Sequence, residues 1–472
     1  MALDSTLRPF GFAIALAVLV WFPAAAEEPP PVPPPSTPAL EERVKGLEAT
    51  VRQLEQERAT TVLPTVEIAK QPILAGWDQG FVLRSPDKDF ILRITGQIQA
   101  DYRSYQNDVD TSDVPTFLVR RARLGIDATV MQYYEFRLLP DYGRGESRIT
   151  DAYFNVHFWD EFQFEVGKFK QPFSFEQLIQ DRFVPTVERS LIDQLVPARD
   201  VGLMIHGQKL LDNRLDYGFS VYGGVINGDA DNDRNKDLAG RVAIRPFRGG
   251  EWGDWLKGLQ LGLAGTIGDD QGPIQATTYR TPANVPWFTF ASTTRPDGLR
   301  YRWSPELVYL LGPASLSAQY YQEQRALRTG PDKAGNVSHL DVPARGFYAM
   351  ATYLVTGEER TSMSQAIEPR RAFDPRERCY GPGAWEMVAR VSHLEFADDQ
   401  TPGAFARLID PARTARRATE LTTGVNWYLN KWVRFQFNWE HARFGGPVRL
   451  GPGTGDKLRE QNAFVTRFVI TF

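Results

Sequence analysis

Phe90-Ile91-Leu92-Arg93-Ile94-Thr95-Gly96-Gln97-Ile98-Gln99-Ala100-Asp101-Tyr102-Arg103 alternates without a break. Leu92, Ile94, Gly96, Ile98, Ala100 and Tyr102 make one face; Arg93, Thr95, Gln97, Gln99, Asp101 and Arg103 make the other. A period of two places successive side chains on opposite faces of an extended strand. The run is as long as a strand that crosses a bilayer at a tilt. Soluble sandwiches share the period but rarely keep such lengths.

The pattern repeats downstream. Ala122, Leu124, Ile126, Ala128 and Val130 oppose Arg121, Arg123, Gly125, Asp127 and Thr129. Tyr134, Phe136 and Leu138 oppose Glu135, Arg137 and Asp141, and Ala152, Phe154, Val156 and Phe158 oppose Asp151, Tyr153, Asn155 and His157. Further segments begin near Phe162, Asp200, Arg214, Leu238, Gly258, Tyr301, Ala314, Arg345, Ala384, Thr419, Trp432 and Ala463. The total is sixteen, an even number, as a single-chain bacterial barrel requires. Tight connections (Met131-Gln132, Trp159 to Glu161, Leu210 to Asn213, Leu311 to Pro313, Asn430-Lys431) alternate with long ones (Gly224 to Asp237, Gly268 to Arg300, Ala442 to Asn462). One connection, Val355 to Gly383, is long on the short side. It is either a miscounted strand or an insertion.

Bulk properties agree with a barrel. The 472 residues carry a net charge of −4 and a mean hydropathy of −0.36. No long single-sign charge run suggests nucleic acid as a partner. No internal apolar run is long enough for a membrane helix, and alternating strands average to hydrophilic. Aromatics at 12 % can supply interfacial girdles, and the single Cys379 rules out an intramolecular disulfide.

At the N-terminus, Arg8, the apolar stretch Phe10 to Phe22 and Ala24-Ala25-Ala26 read as an export signal over residues 1–26. A proline-rich spacer occupies 27–39. Over 40–59, Leu40, Val44, Leu47, Val51 and Leu54 are spaced by four and three, the seam of a short coiled-coil helix. Residues 60–89 read as a linker and 90–472 as the barrel. At the other end, Phe464, Phe468, Ile470 and Phe472 share one face of the last strand. A terminal aromatic there is similar to an outer-membrane assembly signal.

No catalytic signature stands out. The five histidines are dispersed, there is no H-E-x-x-H or G-x-S-x-G, and Gly451 to Lys457 is not a Walker loop. No cofactor is expected. Lys170 to Arg199 differs from the other connections: Phe173, Phe175, Leu178, Ile179, Phe183, Val187, Leu191, Ile192 and Leu195 are too apolar for a loop in water. Its expected place is inside the barrel, narrowing the lumen; the alternatives are a cap on the mouth or a subunit contact. Its charges cancel, Lys170, Arg182, Arg189 and Arg199 against Glu176, Asp181, Glu188 and Asp193.

Strand polar faces carry Arg93, Arg103, Arg121, Arg123, Arg137, Arg241, Arg245, Arg434 and Arg467. The planar donor fork of arginine matches phosphate and carboxylate, and basic rings build anion pores. The lumen acids Asp101, Asp127, Glu135, Asp141, Asp151, Glu165, Glu306, Glu386 and Glu440 oppose them. A charge ladder without a binding site therefore stands beside a specific anion route. Asp229, Asp231 and Asp233 resemble an oxygen-rich Ca²⁺ loop, but Arg234 and Gly240 replace the glycine and final glutamate that an EF-hand needs. A solvated loop fits better, and a divalent ion bridging to lipopolysaccharide is the alternative.

Gly167-Lys168-Phe169-Lys170-Gln171-Pro172-Phe173-Ser174-Phe175-Glu176, Glu188-Arg189-Ser190 and Pro197-Ala198-Arg199-Asp200-Val201-Gly202 resemble the phosphate-selective porin O and P family. So do Asn227-Gly228, Asp237-Leu238-Ala239-Gly240-Arg241, Thr356-Gly357-Glu358 and Gly383-Ala384-Trp385-Glu386. The resemblance runs from about Gly80 to Phe472. It favours an insertion at 355–383 over a miscount. It implies an all-β, sixteen-stranded antiparallel transmembrane barrel with an inward third loop and an N-terminal coiled coil, assembled as a homotrimer in the outer membrane. It also implies arginines along the route and a lysine-rich constriction for phosphate or pyrophosphate. The constriction candidates are Lys168, Lys170, Arg182, Arg189, Arg199, Arg121, Arg123 and Arg137; Arg93, Arg103, Arg241, Arg245, Arg434 and Arg467 are expected to line the lumen. The function so implied is a diffusion porin for small hydrophilic solutes with an anion preference, in contact with outer-membrane lipid. The alternatives are a non-selective porin and a surface barrel without an open pore.

Overall fold

A computed structural model describes residues 37–60, 72–106, 115–249, 253–396, 402–449 and 457–472. It divides into two units, 1–70 and 71–472. The expected signal peptide and nearly all of the spacer lie outside the described residues.

In the first unit a helix, α1, runs Thr37–Thr60, starting before the expected boundary at residue 40. Val44, Leu47, Val51 and Leu54 are all at least half exposed, an apolar stripe without cover among the described residues.

In the second unit the alternating segments form strands β1 Phe90–Gln106, β2 Thr116–Val130, β3 Tyr134–Asp141 and β4 Arg148–Trp159. β5 Phe162–Lys170, β6 Arg199–Lys209, β7 Leu215–Tyr222 and β8 Asp237–Ile244 follow. Next come β9 Leu259–Asp270, β10 Arg295–Leu311, β11 Ala314–Arg328 and β12 His339–Leu354. β13 Ala384–Phe396, β14 Arg417–Tyr428, β15 Val433–Val448 and β16 Leu458–Thr471 complete the set. Each pairs antiparallel with its neighbours, and β16 closes on β1 from Asn462 opposite Gln106 to Thr471 opposite Gln97. The result is a closed sixteen-stranded antiparallel barrel, as the alternation predicts.

Burial inverts the rule for soluble proteins. On β1, Gln97, Gln99, Asp101 and Arg103 are buried, while Ile98 and Tyr102 are exposed. Phe117, Leu124, Leu203 and Leu263 likewise face outward. So continuous an apolar surface needs lipid, not water, as its solvent.

Two expectations are corrected near the barrel rim. Part of the predicted 60–89 linker is a hairpin, Leu74–Trp77 with Phe81–Arg84, which extends the sheet by pairing Phe81–Arg84 with Ile91–Ile94 of β1. It meets the chain terminus, where Gly96 and Phe472 exchange both backbone hydrogen bonds at 2.9 Å. The Phe472 ring occupies the space that a Cβ on Gly96 would take, so a larger residue there would displace the ring. The second correction concerns the short side. Besides 355–383, the 245–258 connection is also long there. Residues 355–383 are an insertion, and they fold into the barrel end. Arg360, buried, pairs with Glu386 at 2.6 Å, and Ile367 packs with Leu354, Ala384 and Tyr428.

The lumen is not empty. Residues 171–198 lie inside it, where Phe173, Leu191, Ile192 and Leu195 are buried. They share one apolar cluster with Trp287, Phe288 and Phe290 of the 271–294 connection, Phe405 and Leu408, and Met363 of the insertion. Phe288 stacks on Phe396 of β13 at 4.0 Å. The loop is tied to wall after wall: Phe175 N–H to Glu306 at 2.7 Å, Tyr321 O–H to Leu195 O at 3.1 Å, and Asn426 to Pro185 O at 2.8 Å. These bonds lean the loop against β10 to β15. The open space is left along β1 to β6.

Candidate functional site: an arginine-lined passage

Two cavities lie between the inward loop and the β1 to β6 wall. The outer one, about 250 Å³, is lined by eight cationic side chains, Arg120, Arg121, Arg123, Arg144, Arg148, Lys168, Arg189 and Arg199. Only three carboxylates oppose them: Asp181, Glu188 and Asp193. The inner one, about 220 Å³, has Arg123, Arg137, Lys170, Arg182 and Arg199 against Asp151, Glu165 and Asp181. Arg123, Asp181 and Arg199 belong to both walls and so form the neck between them.

Local structure explains why β2 is so basic inside. Alternation points Arg121 and Arg123 to the lumen. Arg120 should face lipid, but the ladder slips there: Gln99 pairs with Arg121 and Ala100 with Val119. Arg120 is the extra residue of a β-bulge, the device that re-aims a side chain. Its guanidinium grips Glu188 with two bonds, at 2.6 and 3.1 Å.

Two loop carboxylates organise the arginines. Asp181 accepts from Arg123 at 2.5 Å and pairs with Arg189 at 2.7 Å and Arg121 at 3.3 Å. Glu188 takes Arg120, Arg467 at 2.7 Å and Arg103 at 3.0 Å. Burial opposes ionisation of Asp181, yet Arg121, Arg189 and Arg123 hold its carboxyl well below the usual range. Glu188 is likewise buried but lowered by Arg120 and Arg467. Asp193 differs: burial, which Arg189 only partly offsets, pushes it up to about 7. The loop's own charges do balance, as its sequence says. The passage does not, because Glu176 turns away to Ser190 while β2 and the β3–β4 connection add arginines.

All eight constriction candidates reach a cavity wall. The two lysines are nonetheless engaged. Lys170 donates to the carbonyls of Gln177, Leu178 and Ile179 at 2.7, 3.3 and 2.9 Å, pinning the loop. Lys168 pairs with Asp229 at 2.5 Å. The neck is therefore made by arginine, which departs from the lysine-rich constriction that the resemblance implies.

None of the six expected lumen liners lines either of these two cavities. Arg467 and Arg103 are held by Asp101, at 2.6 and 2.9 Å, and Arg241 by Glu306 at 2.7 Å. Arg245 bonds Asp216, Arg93 pairs with Asp78 at 3.2 Å, and Arg434 lies over the Tyr428 ring at 5.5 Å. Sequence reasoning missed Arg120, Arg144 and Arg148 at the passage, and Arg300, Arg302, Arg325 and Arg390 on the packed side. The strand arginines among the latter were legible from the same alternation; Arg144, in a connection with φ 59°, carried no such signal.

The Ca²⁺ candidate also dissolves. Asp229 is taken by Lys168, Asp231 by Lys236 at 2.7 Å, and Asp233 accepts the Asn235 and Gln271 amides. Among the described residues no three His, Cys, Asp or Glu side chains could hold a metal ion.

The family model described as phosphate-selective porin O and P matches residues 92–444. The chain belongs to the phosphate-selective porin O and P family. It is an outer-membrane porin. Porin O of Pseudomonas aeruginosa is 23 % identical over 429 residues, covering 83 % of this chain and 91 % of that protein. Among solved structures, the outer membrane channel DcaP of Acinetobacter baumannii superposes with a TM-score of 0.50 at 12 % identity, over 84 % of this chain and 100 % of that one. OmpT of Vibrio cholerae gives 0.48 at 13 %, over 83 % and 100 %. In this porin the end carrying Phe472 and the short turns is the periplasmic one, and the long loops face outside.

Proposed function

We propose that this porin is an anion-preferring diffusion channel whose passage runs between the inward loop and the β1 to β6 wall. One observation carries the reading: the outer cavity sets eight cations against three carboxylates. A low-dielectric wall with that imbalance concentrates anions and repels cations. Arg123 and Arg199 act as the selecting pair at the neck, with Asp181 holding Arg121, Arg123 and Arg189 in place. Arg144, Arg148 and Arg120 collect anions at the outer mouth. Phosphate is one small anion that such forks suit. The exposed stripe of α1 supports assembly as a trimer through a coiled coil.

The test is the reversal potential of the purified full-length protein in planar bilayers across a KCl gradient. Chloride preference is expected. Potassium preference would sink the proposal, and zero conductance from folded protein would favour a closed surface barrel.

A further inference from the structure

We propose that the inner cavity is a binding subsite for a small organic anion: one carboxylate carried on an apolar body, such as an aromatic or branched aliphatic acid. The inference rests on the anion-channel reading and names a substrate class for it.

The two cavities differ in kind. The outer one is almost wholly polar, with Ile149 its one aliphatic contact. The inner one adds Leu139, Phe169, Leu178 and Tyr153 to its charged residues. Leu139 stands on the lumen face of β3, in phase with Arg137 and Asp141, and Phe169 on that of β5, in phase with Gln163 and Glu165. Leu178 faces them from the inward loop. A passage for inorganic ions gains nothing from such residues, since apolar surface beside water is unfavourable. A ligand with an apolar body would cover them.

The charged side of the cavity points the same way. Arg123 is held by Asp141 and Asp181, Arg137 by Asp127 and Asp151, and Arg199 by Asp151. Lys170 is held by loop carbonyls. Arg182 alone, among the described residues lining this cavity, is a cation without a carboxylate or backbone carbonyl partner; its Nε donates to the Gln180 amide oxygen at 2.9 Å and its guanidinium lies over the Phe183 ring. One open guanidinium fork matches one carboxylate. A multiply charged, strongly hydrated phosphate would have to shed water against leucine and phenylalanine for that single fork, which is costly. At about 220 Å³ the space suits a small acid and not a drug-sized ligand.

The experiment is block of chloride current through the full-length porin in planar bilayers, titrated with benzoate and separately with inorganic phosphate. Benzoate is expected to half-block at an about tenfold lower concentration than phosphate. Leu139→Ser is expected to raise the benzoate value about fivefold with little change for phosphate, and Arg182→Gln to raise both. Should Leu139→Ser fail to assemble, Leu178→Ser reads the same loss from the loop side. Equal or tighter block by phosphate, or a leucine variant that shifts both anions alike, overturns the subsite. The two readings fail separately: a potassium-selective reversal potential removes the anion channel itself, whereas chloride selectivity without benzoate preference removes only the subsite.

Discussion

Asp181 is the one carboxylate shared by the two cavity walls, and three guanidinia converge on it. Removing a partner from a buried ion cluster leaves uncompensated charge, at a cost of about 3 kcal/mol. Asp181→Asn should therefore lower the temperature at which the barrel loses its compact form on gels. The same change should raise the chloride-to-potassium permeability ratio about threefold, because the neck gains net positive charge. A ratio that falls would show that Asp181 does not face permeating ions. Asp193 gives a pH dependence. Its carboxyl, pushed up to about 7 by burial, is neutral below that value and negative above it. A negative charge in the outer cavity opposes anions, so anion preference should decline as pH rises through about 7. Asp193→Asn should flatten the profile, and an unchanged slope in that variant would assign the titration elsewhere.

At the scale of elements, the lumen is shaped by segments from both ends. The inward loop and the 271–294 connection enter from outside, and 355–383 enters from the periplasmic side. The insertion is held at Arg360, which bonds Glu386 at 2.6 Å and whose amide reaches Gly312 O at 3.1 Å. Arg360→Gln should release the segment. The expected result is higher single-channel conductance together with new trypsin cleavage near Arg370 and Arg371. Conductance that stays at the parent value despite cleavage would mean that the insertion packs in the lumen without narrowing it. Its two roles were unequally legible. The length of 355–383 left a miscounted strand or an insertion open and the family resemblance favoured the insertion, but its inward fold depends on Met363, Ile367 and Arg360, which are ordinary residues until the barrel supplies their partners.

For the whole molecule, the proposed trimer rests on α1. An apolar stripe at least half exposed on Val44, Leu47, Val51 and Leu54 is unfavourable in water unless another helix covers it. Leu47→Asp with Val51→Asp should shift the detergent-solubilised protein from trimer toward monomer in native mass spectrometry, leaving the barrel folded. A trimer that survives the double change would move the contact to the barrel wall.

The period of two in Phe90 to Arg103, repeated sixteen times, determined the barrel, because one face must meet lipid and the other water. The apolar run in 171–198 pointed to an inward loop, since water would not tolerate it, and the structure decided against a cap on the mouth. Alternation also put Arg121, Arg123 and Arg137 inside. What alternation cannot express is a break in its own phase. The bulge that turns Arg120 inward is a property of pairing between β1 and β2, not of either strand. Nor can a linear sequence say which arginines line the open passage. Arg103, Arg241 and Arg467 look the same in sequence as Arg123 and Arg199. Only the tertiary structure decides that the former are tied to Asp101 and Glu306 outside both cavity walls and the latter stand at the neck. The proposed selectivity belongs to that asymmetry, because a charge acts on a passing ion only where the tertiary structure leaves room for the ion to pass.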